Sequence, residues 1–204
     1  MIGVIDIGSG NIPSVCSALK KNSEKFKLCR NAKDLKNIKR IILPGVGSFK
    51  SFIENICNKD LVHSIKKAIL NGMPFLGICL GFQALFEKSY EFGDYNGLGI
   101  LKGEVVHLNN LKKNVMTPHV GWNNCQYQKK SKIFFKIKDN ANFYFTHTFT
   151  PVKVEKKHII AYTDCGTNII SVVQKFNAYG VQFHPEKSQL SGLKLIDNFC
   201  KIKF

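Results

Sequence analysis

Phe75-Leu76-Gly77-Ile78-Cys79-Leu80-Gly81-Phe82 carries an apolar run into a turn where two glycines flank one cysteine. Phe75–Ile78 reads as a short buried strand and Phe82–Phe86 as the opening of a helix. The spacing is that of a G-x-nucleophile-x-G elbow with cysteine in the serine position. Glycines at 77 and 81 let strand and helix approach closely, so the Cys79 thiol projects from the tip of the turn. The amino terminus of the next helix favours negative charge there. Its first amide, on Leu80, points where an acyl oxyanion would form. Taken alone, the same five residues also fit a plain strand–helix turn with an incidental small side chain.

Outward from the elbow, strands alternate with helices. Ile2–Ile7 is an apolar strand ending in glycines, and Ile12, Val15, Cys16 and Leu19 follow at helical spacing, with Pro13 acceptable in a first turn. Arg40–Leu43 is a second strand, ending in Pro44-Gly45-Val46-Gly47. Leu61, Ile65, Ala68 and Ile69 mark a helix stopped by Gly72. Later segments are richer in strands: Glu104–Leu108, Asn142–His147, His158–Thr163, Ile169–Gln174 and Tyr179–Phe183. A last helix covers about Gly192–Cys200. The alternation predicts one α/β domain over 1–204, with a mainly parallel central sheet flanked by helices. Sites in such sheets form at the carboxyl ends of strands, where the elbow lies.

Composition narrows the class. The chain is long enough for a continuous core, and 44% hydrophobic residues with 16 phenylalanines exclude a disordered chain. No apolar run reaches the roughly 20 residues of a membrane helix, and the start lacks the features of a signal peptide. A soluble cytoplasmic protein is expected. The seven cysteines are scattered without a C-x-x-C pair, so neither a zinc site nor a disulfide framework is indicated. No metal or cofactor is expected. A net charge of +16 raises nucleic-acid binding as a rival reading, with the reactive residues then vestigial. The basic residues are nearly all lysines, however, with arginine only at Arg30 and Arg40. Bidentate phosphate and base readers favour arginine, so a lysine-rich surface without specific nucleic-acid binding is the preferred reading.

A second motif completes the first. Val181-Gln182-Phe183-His184-Pro185-Glu186-Lys187-Ser188 follows a predicted strand. Residues two apart in an extended segment lie on one side, so His184 and Glu186 suit a base oriented by a carboxylate. Pro185 keeps His184 out of the helical region. Cys79, His184 and Glu186 together form a candidate triad.

These motifs resemble the class I (triad) glutamine amidotransferases, and the likeness runs through essentially the whole chain. The finer resemblance is to the HisH-type glutaminase subunits of imidazole glycerol phosphate synthase. It is carried by Asp6–Asn11 with Ser14-Val15, Pro44–Phe49, Gly77–Gln83, Gly97–Gly99, Pro118–Asn123 and Gln182–Ser188. Ile7 and Pro13 depart from the usual opening segment and leave the triad intact. The resemblance implies hydrolysis of glutamine to glutamate and ammonia through a Cys79 thioester. Val46 and Leu80 would supply backbone amides to the oxyanion, with Gly45 and Gly47 giving the Val46 loop freedom and belonging themselves to the substrate-binding set. Gln83, Glu91, Thr148 and Phe149 would surround the substrate, Glu91 facing its ammonium. The implied partner is a (β/α)8-barrel cyclase of the HisF type, forming a heterodimer in histidine biosynthesis, with Trp122 and Lys187 as interface candidates. Similar glutaminases also supply ammonia for bacterial surface-sugar amidation, which is the alternative acceptor pathway.

Overall fold

Apolar residues alternate along the central strands because each face of the sheet is covered by different helices. In β3 (Arg40–Gly45), Ile41 and Leu43 enter one apolar cluster while Ile42 enters the other, the period-two pattern of a doubly covered strand. The computed structural model describes residues 1–8, 10–56 and 59–202. Ser9 of the opening motif and Cys57 lie outside the described residues.

Strands are numbered in chain order. Across the main sheet they run β2 (Phe26–Cys29), β1 (Ile2–Ile5), β3, β4 (Phe75–Cys79), β13 (Ala178–Val181), β12 (Asn168–Lys175), β11 (Ile159–Asp164), β8 (His119–Tyr127) and β9 (Ala141–His147). Neighbours from β2 to β13 pair in parallel, and an antiparallel extension continues from β13 to β9. A smaller sheet, β10 (Phe149–Val152), β7 (Glu104–His107), β5 (Lys88–Ser89) and β6 (Tyr95–Asn96), lies next in sequence to the site segments. One face of the main sheet packs Val15 and Leu19 of α1 (Ile12–Lys21) with Leu195 and Phe199 of α5 (Gln189–Lys201). The other packs Phe52 and Ile56 of α2 (Phe49–Ile56) with Leu61 and Ile65 of α3 (Lys59–Leu70).

The α/β architecture stands as expected, with local differences. β1 stops at Ile5 because the Asp6 carboxylate turns the chain, accepting from the Gly8 amide at 3.2 Å and from Arg30 Nε at 2.9 Å. Pro13 falls in the first turn of α1. The helix after Cys79 is a single turn, α4 (Leu80–Gln83), where Phe82–Phe86 was expected to open a longer helix. The carbonyls of Ala84, Leu85 and Phe86 accept instead from the amides of Leu98, Ile100, Leu101 and Gly99, which ends the helical ladder. β2, α2 and β8 have no counterpart in the sequence reading. β8 leaves Val120 and Trp122 exposed, so it lacks the buried alternation that marks a strand in sequence.

Candidate active site

Strand register brings the two loops of the site together. β3 and β4 pair with Gly45 opposite Cys79, so Val46 and Leu80 leave adjacent strand ends. Cys79 has φ 54 and ψ −105, a backbone state that costs a non-glycine residue about 1–3 kcal/mol and persists only where its surroundings impose it. The imposing contacts are backbone against backbone. A Cβ on Gly81 would lie 1.8 Å from the Leu43 carbonyl oxygen, and one on Gly77 would lie 2.3 Å from the Gly81 carbonyl oxygen. Because α4 is only one turn long, its dipole is small, and the adjoining amides rather than a helix end are what the elbow offers to negative charge.

β13 pairs with β4 through Val181 opposite Ile78, which carries His184 to the same end of the sheet. The His184 amide donates to the Tyr144 carbonyl at 2.8 Å, and the His184 carbonyl accepts from the Ser188 hydroxyl at 2.6 Å. His184 Nδ1 and Glu186 Oε1 are 2.8 Å apart, with both side chains only 1% exposed. Nε2 is buried without a well-formed hydrogen bond, and catalytic contacts of this kind are often loose before substrate binds. Burial pushes the His184 ring toward neutrality, but the Cys79 sulfur and the Glu186 carboxylate outweigh it and raise the pKa to about 10. The ring is therefore held as a cation beside the sulfur, protonated on both nitrogens with Nδ1–H toward Glu186.

A measurable consequence follows from that sign. The folded-state value lies above the ordinary 6.5, so the pair's contribution to stability is complete below about pH 6.5 and is lost as pH climbs through 10. In ring-labelled protein, the highest-titrating histidine resonance should change near pH 10 and should move lower in Cys79→Ala. An unmoved titration in that variant would show that the sulfur does not act on the ring.

Of the other residues expected around a substrate, Gln83 meets the Phe149 backbone, while Glu91 lies against the start of α2. Gln83 Nε2 donates to the Phe149 carbonyl at 3.1 Å and to Gln182 Oε1 at 3.2 Å, while Gln83 Oε1 is buried without a partner. The Phe149 carbonyl also accepts from His147 Nδ1 at 2.9 Å. With that proton on Nδ1, His147 Nε2 accepts from His119 Nδ1 at 2.9 Å, and His119 Nε2 accepts from Asn123 Nδ2 at 3.2 Å. Burial, helped by His119, pushes His147 down to about 3, and burial lowers His119 as well. Both rings are therefore neutral and each carries one proton. The Thr148 carbonyl accepts from the Leu108 amide at 3.0 Å, which pins the Thr148–Phe149 backbone beside the smaller sheet.

Glu91 is 9% exposed, and its Oε2 accepts from the Phe49 amide at 2.7 Å, at the start of α2. Burial raises its pKa against the lowering effect of that amide. The carboxylate thus also anchors the segment immediately after the Gly45–Gly47 loop. Trp122 is 48% exposed and meets Tyr144 edge to face at 6.1 Å between centroids. Lys187 Nζ sits 5.6 Å from the same ring centroid. Both candidate interface residues therefore gather on Tyr144, close to the triad. A cavity of about 770 Å³ between Phe134 and α5 includes none of the residues named for the site.

Sequence reasoning assigned no role to Gln182, His119 or His147. Gln182 Nε2 lies 3.8 Å from Cys79 Sγ, and its spacing of two from His184 in an extended segment was the signal available. No short-range pattern announces the two histidines, because they meet only through the β8–β9 pairing of His119 with His147.

An elbow cysteine, a buried histidine–carboxylate pair and two amide-bearing loops are the equipment for acyl transfer through a thioester. The chain belongs to the class I glutamine amidotransferase family, whose sequence model matches residues 3–202. It is 44% identical to the imidazole glycerol phosphate synthase subunit HisH of Caldanaerobacter subterraneus subsp. tengcongensis, over 98% of this chain and 97% of that protein. It is 42% identical to the HisH subunit of Aquifex aeolicus, over 96% and 94%. Among solved structures, PurLQS from Thermotoga maritima superposes with a TM-score of 0.76 over 98% of this chain and 96% of that one, at 20% identity, a likeness of fold.

Proposed function

We propose that the chain is the glutamine-hydrolysing subunit of an imidazole glycerol phosphate synthase, passing ammonia to a barrel cyclase subunit in histidine biosynthesis. The observation that carries the chemistry is the buried His184–Glu186 pair beside a strained elbow cysteine. The relatives of the same length named HisH support the acceptor pathway.

In this reading Cys79 attacks the side-chain carbonyl carbon of glutamine as a thiolate, forming a C–S bond while the carbonyl electrons move to oxygen. Amides of Leu80 and Val46 stabilise that oxyanion. His184 donates its Nε2 proton to the leaving nitrogen, the C–N bond breaks, and ammonia departs from a thioester. His184, now neutral, takes a proton from water as the water attacks the thioester. Glutamate leaves and the thiolate–imidazolium pair is restored. Glu186 keeps the ring in the tautomer that presents Nε2 to sulfur and substrate.

Gln83 Oε1, Glu91 and the Thr148–Phe149 backbone form the substrate's polar surroundings, with Glu91 pairing with its ammonium. Glu91→Gln is expected to raise KM for glutamine about 10-fold or more, the scale of a lost charge-assisted hydrogen bond. An unchanged KM would remove Glu91 from the substrate site. Trp122 and Lys187 face the partner. No helix among the described residues is long and apolar enough to cross a membrane. The six described cysteines are free thiols, which supports placement in the reducing cytoplasm.

The deciding experiment measures glutamine hydrolysis with and without purified cyclase. Slow hydrolysis alone, stimulated by that partner and coupled to imidazole glycerol phosphate formation, is the expected result. Absence of stimulation and of product would overturn the assigned pathway and leave the glutaminase chemistry to be judged on hydrolysis alone.

A further inference from the structure

We propose that Gln182 is a further catalytic residue, whose side-chain amide donates to the Cys79 sulfur and holds it ready for attack; this rests on the reading of Cys79 as the nucleophile. Gln182 is wholly buried on the segment leaving β13, with Nε2 3.8 Å from Sγ. Besides the His184 ring, the sulfur's remaining polar neighbour is the Thr146 carbonyl at 3.9 Å. Gln182 and the Thr146 carbonyl discriminate between the forms of the nucleophile. A thiol has a proton to give to the Thr146 carbonyl, whereas a thiolate has none and can only accept. Gln182 therefore adds to the His184 cation a second contact that strengthens on ionisation, because hydrogen bonds to an ionised partner are roughly twice as strong as neutral ones.

The direction of the Gln182 amide is set by its surroundings. The Phe149 carbonyl is an obligate acceptor, so Gln83 must present its NH2 group there, and that same NH2 group meets Gln182 at Oε1. A reversed Gln182 amide would place NH2 against NH2 and its oxygen against the electron-rich sulfur. The same Phe149 carbonyl also accepts from Nδ1 of His147, whose Nε2 pairs with His119. Donors thus converge on Phe149, and the chain leaves Gln182 with its donor end at Cys79.

The test is alkylation of Cys79 by iodoacetamide, followed on the Cys79 peptide by mass spectrometry because Cys16 and Cys165 are also partly exposed. Gln182→Met removes the amide while keeping length and bulk. It is expected to slow Cys79 alkylation at neutral pH by about 10- to 100-fold, the scale of a hydrogen bond to a charged group. The kcat for glutamine should fall by a similar factor with KM changed less than about twofold, the split expected of an interaction made at the reacting atom. Gln182→Glu keeps the shape and the Gln83 contact but sets an acceptor against the sulfur, and should be slower still. It carries the test if the methionine variant does not fold. Wild-type alkylation and kcat in a folded variant would overturn the proposal while leaving Cys79 as nucleophile. Failure of the nucleophile reading itself is distinct, because Cys79→Ala would then retain glutaminase activity.

Discussion

Replacing Cys79 with alanine is expected to lower partner-stimulated glutamine hydrolysis by at least about 10⁴-fold, the scale seen when a covalent nucleophile is removed from a triad. Without sulfur no thioester forms, and the remaining donors can only polarise the amide toward unassisted water. The same variant, assembled with its cyclase, should still make product from added ammonium at a rate close to wild type. This follows because the proposed acceptor chemistry lies on the other subunit, and a Cys-to-Ala change at a residue 5% exposed removes one buried atom. Retained glutaminase activity would end the proposed mechanism. Loss of ammonium-dependent synthesis as well would point to damaged assembly.

Gly81→Ala is expected to have the largest effect on stability. Its new methyl would lie 1.8 Å from the Leu43 carbonyl oxygen, and neither atom belongs to a flexible side chain. Relief requires β3 and α4 to separate, opening the seam between the Val46 loop and the elbow. A loss of more than about 4 kcal/mol is expected, at the exceptional end for a single substitution. For a chain of this size, that corresponds to roughly 10 °C or more in Tm. Thermal or denaturant melts measure it directly. A melt within about 2 °C of wild type would mean that the elbow is not packed as described. Surviving folded protein should also show slowed Cys79 alkylation, since the strained φ of Cys79 depends on that close approach.

The residues of the proposed triad stand out in sequence because each part is local. Gly77 and Gly81 mark the close approach around Cys79, and His184, Pro185 and Glu186 fix base and orienter within three residues. The parallel strands were legible for a similar reason, since β3 and β4 are buried on both faces and read as apolar runs. β8 escaped notice because it exposes Val120 and Trp122, so burial writes no alternation into it. The length of α4 was misjudged because its end is set by carbonyl contacts with residues 97–101, which no helical pattern records. Gln83 and Glu91, taken singly, look like residues of an exposed helix, yet they are 2% and 9% exposed.

By itself, then, the sequence determined the elbow turn, the adjoining His184–Glu186 pair, and the alternation that makes an α/β sheet, since each depends on neighbours within a few residues. Only the tertiary structure decided which buried polar groups meet Cys79. The Gly45–Cys79 register, the His119–His147 pairing and the Gln83–Gln182 contact join segments 28 to 99 residues apart. Contacts over such separations arise from sheet order and close packing, and a buried amide takes its direction from whichever donor or acceptor the packing sets against it. The cysteine at the turn of Phe75–Phe82 was visible from the start, whereas the Gln182 donor facing it is a product of the fold.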